Sequence, residues 1–171
     1  MSGKPIPPRP GAGATSQRLA EILRVDHAGE LGAVHIYRGQ LAEMEADEIE
    51  HLSRFDKLLN DHKVRPTAMT PLWRVAGFAL GAGTALLGEK AAHACTEAVE
   101  DVIERHYAGQ IAELEGREPE LAAELTKFRD EEIAHRDHAL EEGAREAPGY
   151  PLLAAVIRAG CRAAIKISEK I

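Results

Sequence analysis

Apolar residues recur at intervals of three and four along most of the chain, which is the spacing of one face of an α-helix. The segment at 48–62 shows the pattern, with its apolar positions at Ile49, Leu52, Phe55, Leu58 and Leu59. No segment alternates convincingly between apolar and polar residues with the period of two that indicates a β-strand. The pattern therefore predicts an all-α fold in which the helices pack as a bundle.

Capping residues and helix breakers set the expected ends of the first helices. Ser16 is a candidate N-cap for a helix whose apolar pattern continues through Leu41. Pro66 interrupts the pattern after the second helix, because proline cannot continue an α-helix. Pro119 is expected at the start of a later helix, since proline suits the first helical turn.

The rest of the chain is also predicted to be helical. A third run covers residues 71–115, and the glycines of GAGT at 81–84 predict an interruption within it. Pro148 and Pro151 frame a turn, after which a last helix closes the chain.

Length, charge and cysteine content narrow the class of protein. The 171 residues suit one domain at 17–171, preceded by a tail at 1–16 that is rich in proline and glycine and is expected to be disordered. The net charge of −7 argues against a nucleic-acid-binding face. Cys95 and Cys161 match no metal-binding spacing and imply no disulfide framework, so a reducing, intracellular compartment is expected.

Two apolar segments predict contact with a membrane surface. Residues 75–88 read VAGFALGAGTALLG, which as a helix rises only ~21 Å and is too short for the ~30 Å hydrocarbon core of a bilayer. Trp73 and Arg74 precede this segment, as in segments that lie at a membrane interface. The last helix has a broad apolar face and, on another face, Arg158, Arg162, Lys166 and Lys170. Burial in an ordinary bundle core is the alternative for both segments.

The candidate chemistry centres on two Glu-x-x-His motifs, Glu48–His51 in EIEH and Glu132–His135 in EEIAH. Residues three apart lie ~60° apart around a helix, so both side chains of a pair can point at one centre. One pair alone is weak evidence, because such a pair is more often part of a solvated helix face. Two pairs in an all-α chain fit the di-metal carboxylate bundles, which add a lone glutamate from each of two further helices.

Glu30 and Glu100 are the candidates for the two lone glutamates. Each is followed seven residues later by a tyrosine, Tyr37 and Tyr107 respectively, which lies two turns on and on the same helix face. This agreement indicates a two-fold internal repeat. Without the repeat, two glutamates near Glu100 would compete with it almost equally: Glu97 and Glu104.

The surroundings and the donor set indicate the kind of metal. Asp26 lies one turn before Glu30, and we expect it to accept a hydrogen bond from a ligand histidine. His106 is a second candidate for such an outer position, with an ordinary surface histidine as the alternative. Four carboxylates and two imidazoles suit a pair of iron or manganese ions. Such sites either store iron or oxidise a substrate, and the fold alone does not decide between these functions.

Four long segments of the chain resemble those of the demethoxyubiquinone hydroxylases. They are RVDHAGELGAVHIYRGQLA at 24–42, TEAVEDVIERHY at 96–107, FRDEEIAHRDHAL at 128–140 and AGCRAAIKISEKI at 159–171. The resemblance extends over about residues 20–171. It implies a ferritin-like four-helix bundle with additional helices at a membrane interface.

The resemblance also implies an activity and a ligand set. The family members are di-iron monooxygenases of ubiquinone biosynthesis, which use O₂ to hydroxylate 2-polyprenyl-3-methyl-6-methoxy-1,4-benzoquinol at ring carbon 5. Their iron ligands map onto Glu30, Glu48, His51, Glu100, Glu132 and His135. NADH is the implied reductant, although the chain has no dedicated nucleotide motif. Tyr37 or Tyr107 is a candidate relay of a proton or an electron.

Partners and location follow from the same resemblance. We expect the polyprenylated quinol and O₂ as substrates and a membrane surface as a partner, and we leave open other proteins of quinone biosynthesis and a homo-oligomer. The expected location is the cytoplasmic face of a bacterial inner membrane, with the matrix side of a mitochondrial inner membrane as the alternative. Two rival functions are a ferritin-like iron-binding or ferroxidase protein and a non-catalytic scaffold that binds polyprenyl quinones.

One spacing departs from the family. In the second half 32 residues separate Glu100 from Glu132, but in the first half only 18 separate Glu30 from Glu48. On one straight helix Glu30 and Glu48 would be ~27 Å apart and unable to share a metal pair. We favour a loop of about a dozen residues that is missing from the recorded sequence between Leu41 and Glu48. An early turn near Gly39 and a genuine deletion that damages this half of the site are the alternatives.

Overall fold

The computed structural model describes residues 16–37 and 42–171. These residues form α1 Gln17–Tyr37, α2 Ala42–His62, α3 Thr70–Leu86, α4 Glu89–Leu114, α5 Pro119–Glu141 and α6 Tyr150–Lys170, with a short 3₁₀ turn at Ala144–Glu146. The described part contains no β-strand, so the predicted all-α class is confirmed. The predicted disordered tail lies, apart from its last residue, outside the described residues.

Four of the helices form an antiparallel bundle. Along α1 and α2, His27 faces Asp56 near one end and Glu30 faces His51 further along, so these helices run in opposite directions. Helix α4 is antiparallel to α1 and α5 is antiparallel to α2, as shown by the pairs Arg18–Glu113, Tyr37–Glu100, Asp47–His135 and Arg54–Glu124. The order is up, down, down, up, with α3 inside the long crossover. This is the ferritin-like arrangement.

The predicted helix starts at Ser16 and Pro119 are confirmed. The Ser16 hydroxyl accepts a hydrogen bond from the backbone N–H of Leu19 at 3.2 Å, as an N-cap does. Pro119 is the first residue of α5. Helix α1 extends at least to Tyr37, and residues 38–41, over which it was predicted to continue, lie outside the described residues.

Helix α1 is described as far as Tyr37, and the antiparallel α2 is described from Ala42 onwards. The turn predicted near Gly39 lies outside the described residues. Glu48 nevertheless lies beside Glu30, and both contribute to one cluster. The three interpretations of the short spacing concern the segment before Glu48 and stay predictions.

The interruption predicted at 81–84 is wrong, because α3 continues to Leu86. Gly81 instead allows close packing, because a Cβ there would lie 2.2 Å from the carbonyl oxygen of Ile36 in α1. The break between α3 and α4 comes at Gly88, whose φ of +112° is accessible mainly to glycine.

Apolar clusters lie on both sides of the bundle centre. At one end, Leu23, Phe55, Ile111 and Leu125 bring one large side chain from each of the four bundle helices into contact. At the other end, α6 covers α1 and α4 through Ala154 and Ile157. Asp26 and Glu30 on α1, and Glu100 on α4, are buried between these two clusters along their helices.

Helices α3 and α6 pack on α1 and α4 and expose apolar side chains on their outer faces. The largest exposed apolar residues there are Leu72, Val75, Phe78, Leu86, Leu87, Leu152, Val156, Ile167 and Ile171. Leu86 is 89% exposed and Leu152 is 72% exposed, so these side chains are not part of a core in the monomer. Within the described ranges, none of the helices has the length and apolarity required to cross a bilayer.

We expect Gly81→Ala to lower the free energy of unfolding by about 1–3 kcal/mol, because the added methyl group must push α3 away from the backbone of α1. Gly83→Ala is the matched control: Gly83 is exposed in the same helix, and a Cβ added there would have nothing within 4 Å. The control is expected to be neutral or to stabilise by up to ~1 kcal/mol. Urea unfolding followed by circular dichroism measures both changes, and equal effects would contradict the close packing.

Candidate metal centre

All six residues predicted as metal ligands meet in the middle of the bundle. They are Glu30 on α1, Glu48 and His51 on α2, Glu100 on α4, and Glu132 and His135 on α5. The five residues other than His135 are almost completely buried. Because α1 and α4 contribute one glutamate each, and α2 and α5 one Glu-x-x-His pair each, the arrangement is that of the di-metal carboxylate bundles.

The ligand atoms are close enough to share cations. Glu30, Glu48, His51 and Glu132 each offer one atom, and these four atoms all lie within 4.8 Å of one another. Nδ1 of His135 lies 3.5 Å from Oε1 of Glu48 and 3.3 Å from Oε2 of Glu132. The second half of the site therefore adjoins the first without a protein layer between them.

Several of these atoms are buried without a hydrogen-bond partner. They are both carboxylate oxygens of Glu48, Oε2 of Glu100, Oε1 of Glu132 and Nδ1 of His51. An unpartnered buried polar atom costs free energy, and five of them at one point need an explanation. Carboxylate oxygens and imidazole nitrogens are the donors that iron and manganese accept, so the residues present fit a pair of such ions.

The pKa values of the buried glutamates in the metal-free protein also indicate that the cluster requires positive charge. Burial, followed by repulsion from Glu132 and Glu30, raises the pKa of Glu48 well above its ordinary value. Burial and the charge of Glu132 likewise raise the pKa of Glu100 well above its ordinary value. Burial alone would raise the pKa of Glu132, but its hydrogen bond with His135 and its ion-pair contact with His51 lower it to about 2.

The two histidines hold the opposite charge. Burial lowers the pKa of His51, but the adjacent carboxylates of Glu132 and Glu30, 3.2 and 3.5 Å from Nδ1, outweigh it and raise the pKa to about 12. Burial also lowers the pKa of His135, but the hydrogen bond with Glu132 outweighs it and raises this pKa to about 9. Without metal, protons thus supply the positive charge that the glutamates require.

Each histidine is oriented by a carboxylate from the opposite helix. Nε2 of His51 on α2 lies 2.9 Å from Glu131 on α5, and Nε2 of His135 on α5 lies 3.2 Å from Asp47 on α2. A carboxylate accepts the hydrogen of Nε2 and leaves the lone pair of Nδ1 for a metal ion. Sequence analysis missed both carboxylates, although each directly precedes the glutamate of a Glu-x-x-His pair.

The two tyrosines connect the halves of the repeat in the same crossed way. The hydroxyl of Tyr37 on α1 donates to Glu100 on α4, and the hydroxyl of Tyr107 on α4 donates to Glu30 on α1. Burial and the charge of the adjacent glutamate raise the pKa of both tyrosines well above the ordinary value. Both phenols are therefore neutral donors to a carboxylate at neutral pH.

Asp26 and His106 lie beside the cluster, but the predicted hydrogen bond from a ligand histidine to Asp26 is not made. Asp26 instead accepts a hydrogen bond from Nε2 of Gln110 at 2.7 Å, and His106 lies 3.6 Å from it. The reason is that α1 presents Asp26 to α4 and not to the helices that carry the two ligand histidines. Gln110, which the sequence analysis missed, is buried and joins both residues.

One side of the cluster faces α6. Burial, followed by the negative charge of Glu100, raises the pKa of Cys161 on α6 to about 11. One turn before Glu100, Glu97 accepts hydrogen bonds from Arg158 at 2.5 Å and from Tyr150 at 3.0 Å, both on α6. Helix α6 is therefore fixed over the Glu100 side of the site.

A family model described as ubiquinone biosynthesis protein COQ7 matches residues 17–168, nearly the whole chain. The chain belongs to the COQ7 family. This confirms the family expected from the sequence and covers all six glutamate and histidine residues of the cluster.

Individual members of the COQ7 family agree with this match. The chain is 49% identical to the 3-demethoxyubiquinol 3-hydroxylase of Rhodospirillum rubrum, over 95% of this chain and 82% of that protein. It is 49% identical to the human mitochondrial NADPH-dependent 3-demethoxyubiquinone 3-hydroxylase, over 88% of this chain and 76% of the human protein. It is 38% identical to the mitochondrial 5-demethoxyubiquinone hydroxylase of Saccharomyces cerevisiae, over 90% of this chain and 78% of the yeast protein.

We expect metal uptake by the metal-free protein to release protons and to become tighter as the pH rises towards 9. Metal binding requires neutral His51 and His135, whose raised pKa values of about 12 and about 9 keep both protonated at pH 7 when the metal is absent. The raised pKa values of Glu48 and Glu100 add to the competition from protons. Raising the pH removes these competing protons and therefore strengthens binding. Anaerobic titration with Fe²⁺ in a weakly buffered solution with a pH indicator measures the release.

Asp130→Asn is the control for this titration, because Asp130 is exposed and pairs with Arg129 away from the cluster. Its proton release should equal that of the unmodified protein. Equally tight uptake at pH 6 and pH 8, without release of protons, would contradict the protonated state of His51 and His135 in the metal-free protein.

Proposed function

We propose that the protein is a di-iron monooxygenase that uses O₂ to hydroxylate demethoxyubiquinol in ubiquinone biosynthesis. The observation that carries this proposal is the buried cluster of four glutamates and two histidines with unpartnered ligand atoms. The names of the family members supply the reaction, a hydroxylation of the quinol ring. The ring position is numbered 3 in two of these names and 5 in the yeast name.

The proposed iron ligands are Glu30, Glu48, His51, Glu100, Glu132 and His135. Two irons, when bound, would together supply the electrons needed to activate O₂ for insertion of one oxygen atom into the ring. The protein must hold these ligands, keep water out and control protons. Burial of the carboxylates and the apolar clusters on both sides of the site exclude water.

The crossed hydrogen bonds prepare the ligands for their role. Glu131 and Asp47 fix the orientation of the ligand histidines, so that Nδ1 of each ring points into the site. Tyr37 holds one oxygen of Glu100 and leaves the other without a partner. The ligand set is therefore oriented before metal arrives, which lowers the ordering cost of binding.

The polyprenylated substrate is proposed to enter between α3 and α6. Such a quinol stays in the bilayer because its tail is apolar, and these two helices expose the apolar side chains of the described structure. Helix α6 also lies over the Glu100 side of the cluster, where the negative charge of Glu100 contributes to the raised pKa of Cys161. A ring that enters beneath α6 would reach the metal ligands without crossing the polar side of the bundle.

A reduced pyridine nucleotide is the proposed source of electrons. Hydroxylation with O₂ needs two electrons beyond those of the C–H bond, so an external reductant is required. The human relative is named NADPH-dependent, whereas the sequence resemblance pointed to NADH. Both nucleotides therefore belong in the assay.

The proposed location is the surface of the membrane that holds the quinol, on the cytoplasmic face of a bacterial inner membrane or the matrix side of a mitochondrial one. Relatives of both kinds exist, from Rhodospirillum rubrum and from mitochondria. Other proteins of quinone biosynthesis and a second copy of the chain are proposed partners that the exposed apolar faces would accommodate.

The function is tested with purified protein loaded with Fe²⁺ and supplied with ¹⁸O₂, NADH or NADPH, and a short-tailed demethoxyubiquinol. We expect a hydroxylated product with one ¹⁸O atom, and we expect Glu132→Ala to reduce its formation to background, because this carboxylate faces both histidines. Mass spectrometry measures the product. Asp130→Ala, at an exposed position of the same helix, is the matched control and should retain activity.

The same assay separates the rival functions. Oxidation of iron without product would favour the ferroxidase, and binding of quinol without turnover would favour the scaffold. Glu131→Gln keeps all six ligands and should lower activity or metal affinity about 10–100-fold, because only the orientation of His51 changes.

We expect Tyr37→Phe or Tyr107→Phe to lower turnover by about 10²-fold or more, with unchanged iron content, if the phenol moves a proton at the site. Each hydroxyl already donates to a ligand glutamate, which gives the proton a path. Tyr150→Phe is the control, because Tyr150 bonds Glu97 outside the cluster. Normal turnover of a variant would remove the relay role of that tyrosine.

A further inference from the structure

Helices α3 and α6 differ in net charge from the rest of the molecule. Helix α3 has one charged residue, Arg74, and α6 has four basic residues and one acidic residue. These two helices together carry a net charge of +4, whereas the whole chain carries −7. The helices with the exposed apolar faces are therefore positive, and the remainder of the protein is strongly negative.

The basic residues of α6 divide into two groups by their partners. Arg158 pairs with Glu97 at 2.5 Å, and Lys170 pairs with Glu21 at 2.9 Å. These two residues connect α6 to the bundle. Their charges are therefore already balanced by the protein itself.

Arg162 and Lys166 have no such partner. Both are exposed, and neither forms an ion pair with any residue of the described ranges. On α3, Arg74 is also exposed, and its Nε donates to Nε2 of His35 at 3.3 Å rather than to a carboxylate. Three cations thus remain available for an anion from outside the protein.

These cations lie beside the exposed apolar side chains. Arg162 and Lys166 are four residues apart, so they line one edge of α6, ~6 Å apart along its axis. The adjacent face carries Val156, Ala163 and Ile167, all exposed. A helix with an apolar face and lysine or arginine along its edge is the form that lies in a membrane interface.

We propose that Arg74, Arg162 and Lys166 contact lipid phosphates and make the membrane contact of the α3–α6 face selective for anionic phospholipids. The apolar side chains of both helices enter the acyl region, and the cations remain at the level of the headgroups. This inference rests on the proposed function in one respect, namely that the substrate reaches the site from a membrane. It adds the headgroup chemistry and the residues that recognise it.

Charge complementarity favours anionic lipid over a neutral surface and sets the orientation. The negative surface potential of such a bilayer attracts the positive face and repels the rest of the protein. The molecule therefore approaches with α3 and α6 towards the lipid and with the acidic bundle surface towards water. In this orientation the Glu100 side of the site, which lies under α6, is closest to the membrane.

The test uses the full chain and two kinds of vesicle, phosphatidylcholine alone and phosphatidylcholine with 30% phosphatidylglycerol. Flotation should show stronger binding to the anionic vesicles, decreasing as salt rises from 50 to 500 mM. Arg162→Gln with Lys166→Gln should weaken binding to the anionic vesicles about 30-fold, from about fivefold per cation, and leave binding to neutral vesicles unchanged.

Two further variants make the result specific. Arg162→Lys with Lys166→Arg keeps both charges and should bind like the unmodified protein. Lys57→Gln with Arg117→Gln removes the same charge from exposed positions on the bundle and should also bind normally. Thermal unfolding of each variant confirms that it is folded.

Equal binding of the unmodified protein to neutral and anionic vesicles, or to neither, would overturn the proposal and favour a protein partner for this face. The same holds if the bundle variant loses as much binding as the α6 variant. Hydroxylation of a short-tailed quinol in solution tests the enzyme independently. Activity there without anionic selectivity would refute the lipid inference alone, whereas selectivity without activity would refute the proposed function alone.

Discussion

Repulsion among four carboxylates buried at one point is the constraint on which the structure depends. Glu48 and Glu100 are completely enclosed, and the protein provides too few donors for their oxygens. Without metal, the pKa values of these glutamates and of His51 and His135 are raised, so bound protons offset the negative charge. Two divalent cations would satisfy the same atoms without that protonation. The surrounding apolar clusters admit little water, so the negative charge is weakly screened and would favour cations.

The site is braced by contacts that cross between the two halves of the repeat. Tyr37 of the first half holds Glu100 of the second, and Tyr107 of the second holds Glu30 of the first. The histidine partners cross between α2 and α5 in the same way. Each half therefore orients ligands that belong to the other. A displacement of either helix pair would disturb both metal positions, which links the integrity of the bundle to the geometry of the centre.

The bundle also separates two environments. One side carries α3 and α6, with exposed apolar residues and a surplus of positive charge, and the other side is acidic. Gly81 allows α3 to lie directly on α1, and Arg158 ties α6 to α4. The apolar helices are thus attached close to the ligand glutamates of α1 and α4. This proximity gives an apolar substrate a short path to a strongly polar site.

The sequence alone determined the helices, the two Glu-x-x-His pairs and the lone glutamates, because helical period and residue spacing are local properties. It did not reveal that Asp47 and Glu131, rather than Asp26, orient the histidines, since that depends on how separate helices rotate and align. It also suggested a helix break at Gly81, where the tertiary structure uses the missing side chain for contact between helices. The local sequence pattern thus predicts which side chains take part in the site, and the packing between helices determines which of them contact one another.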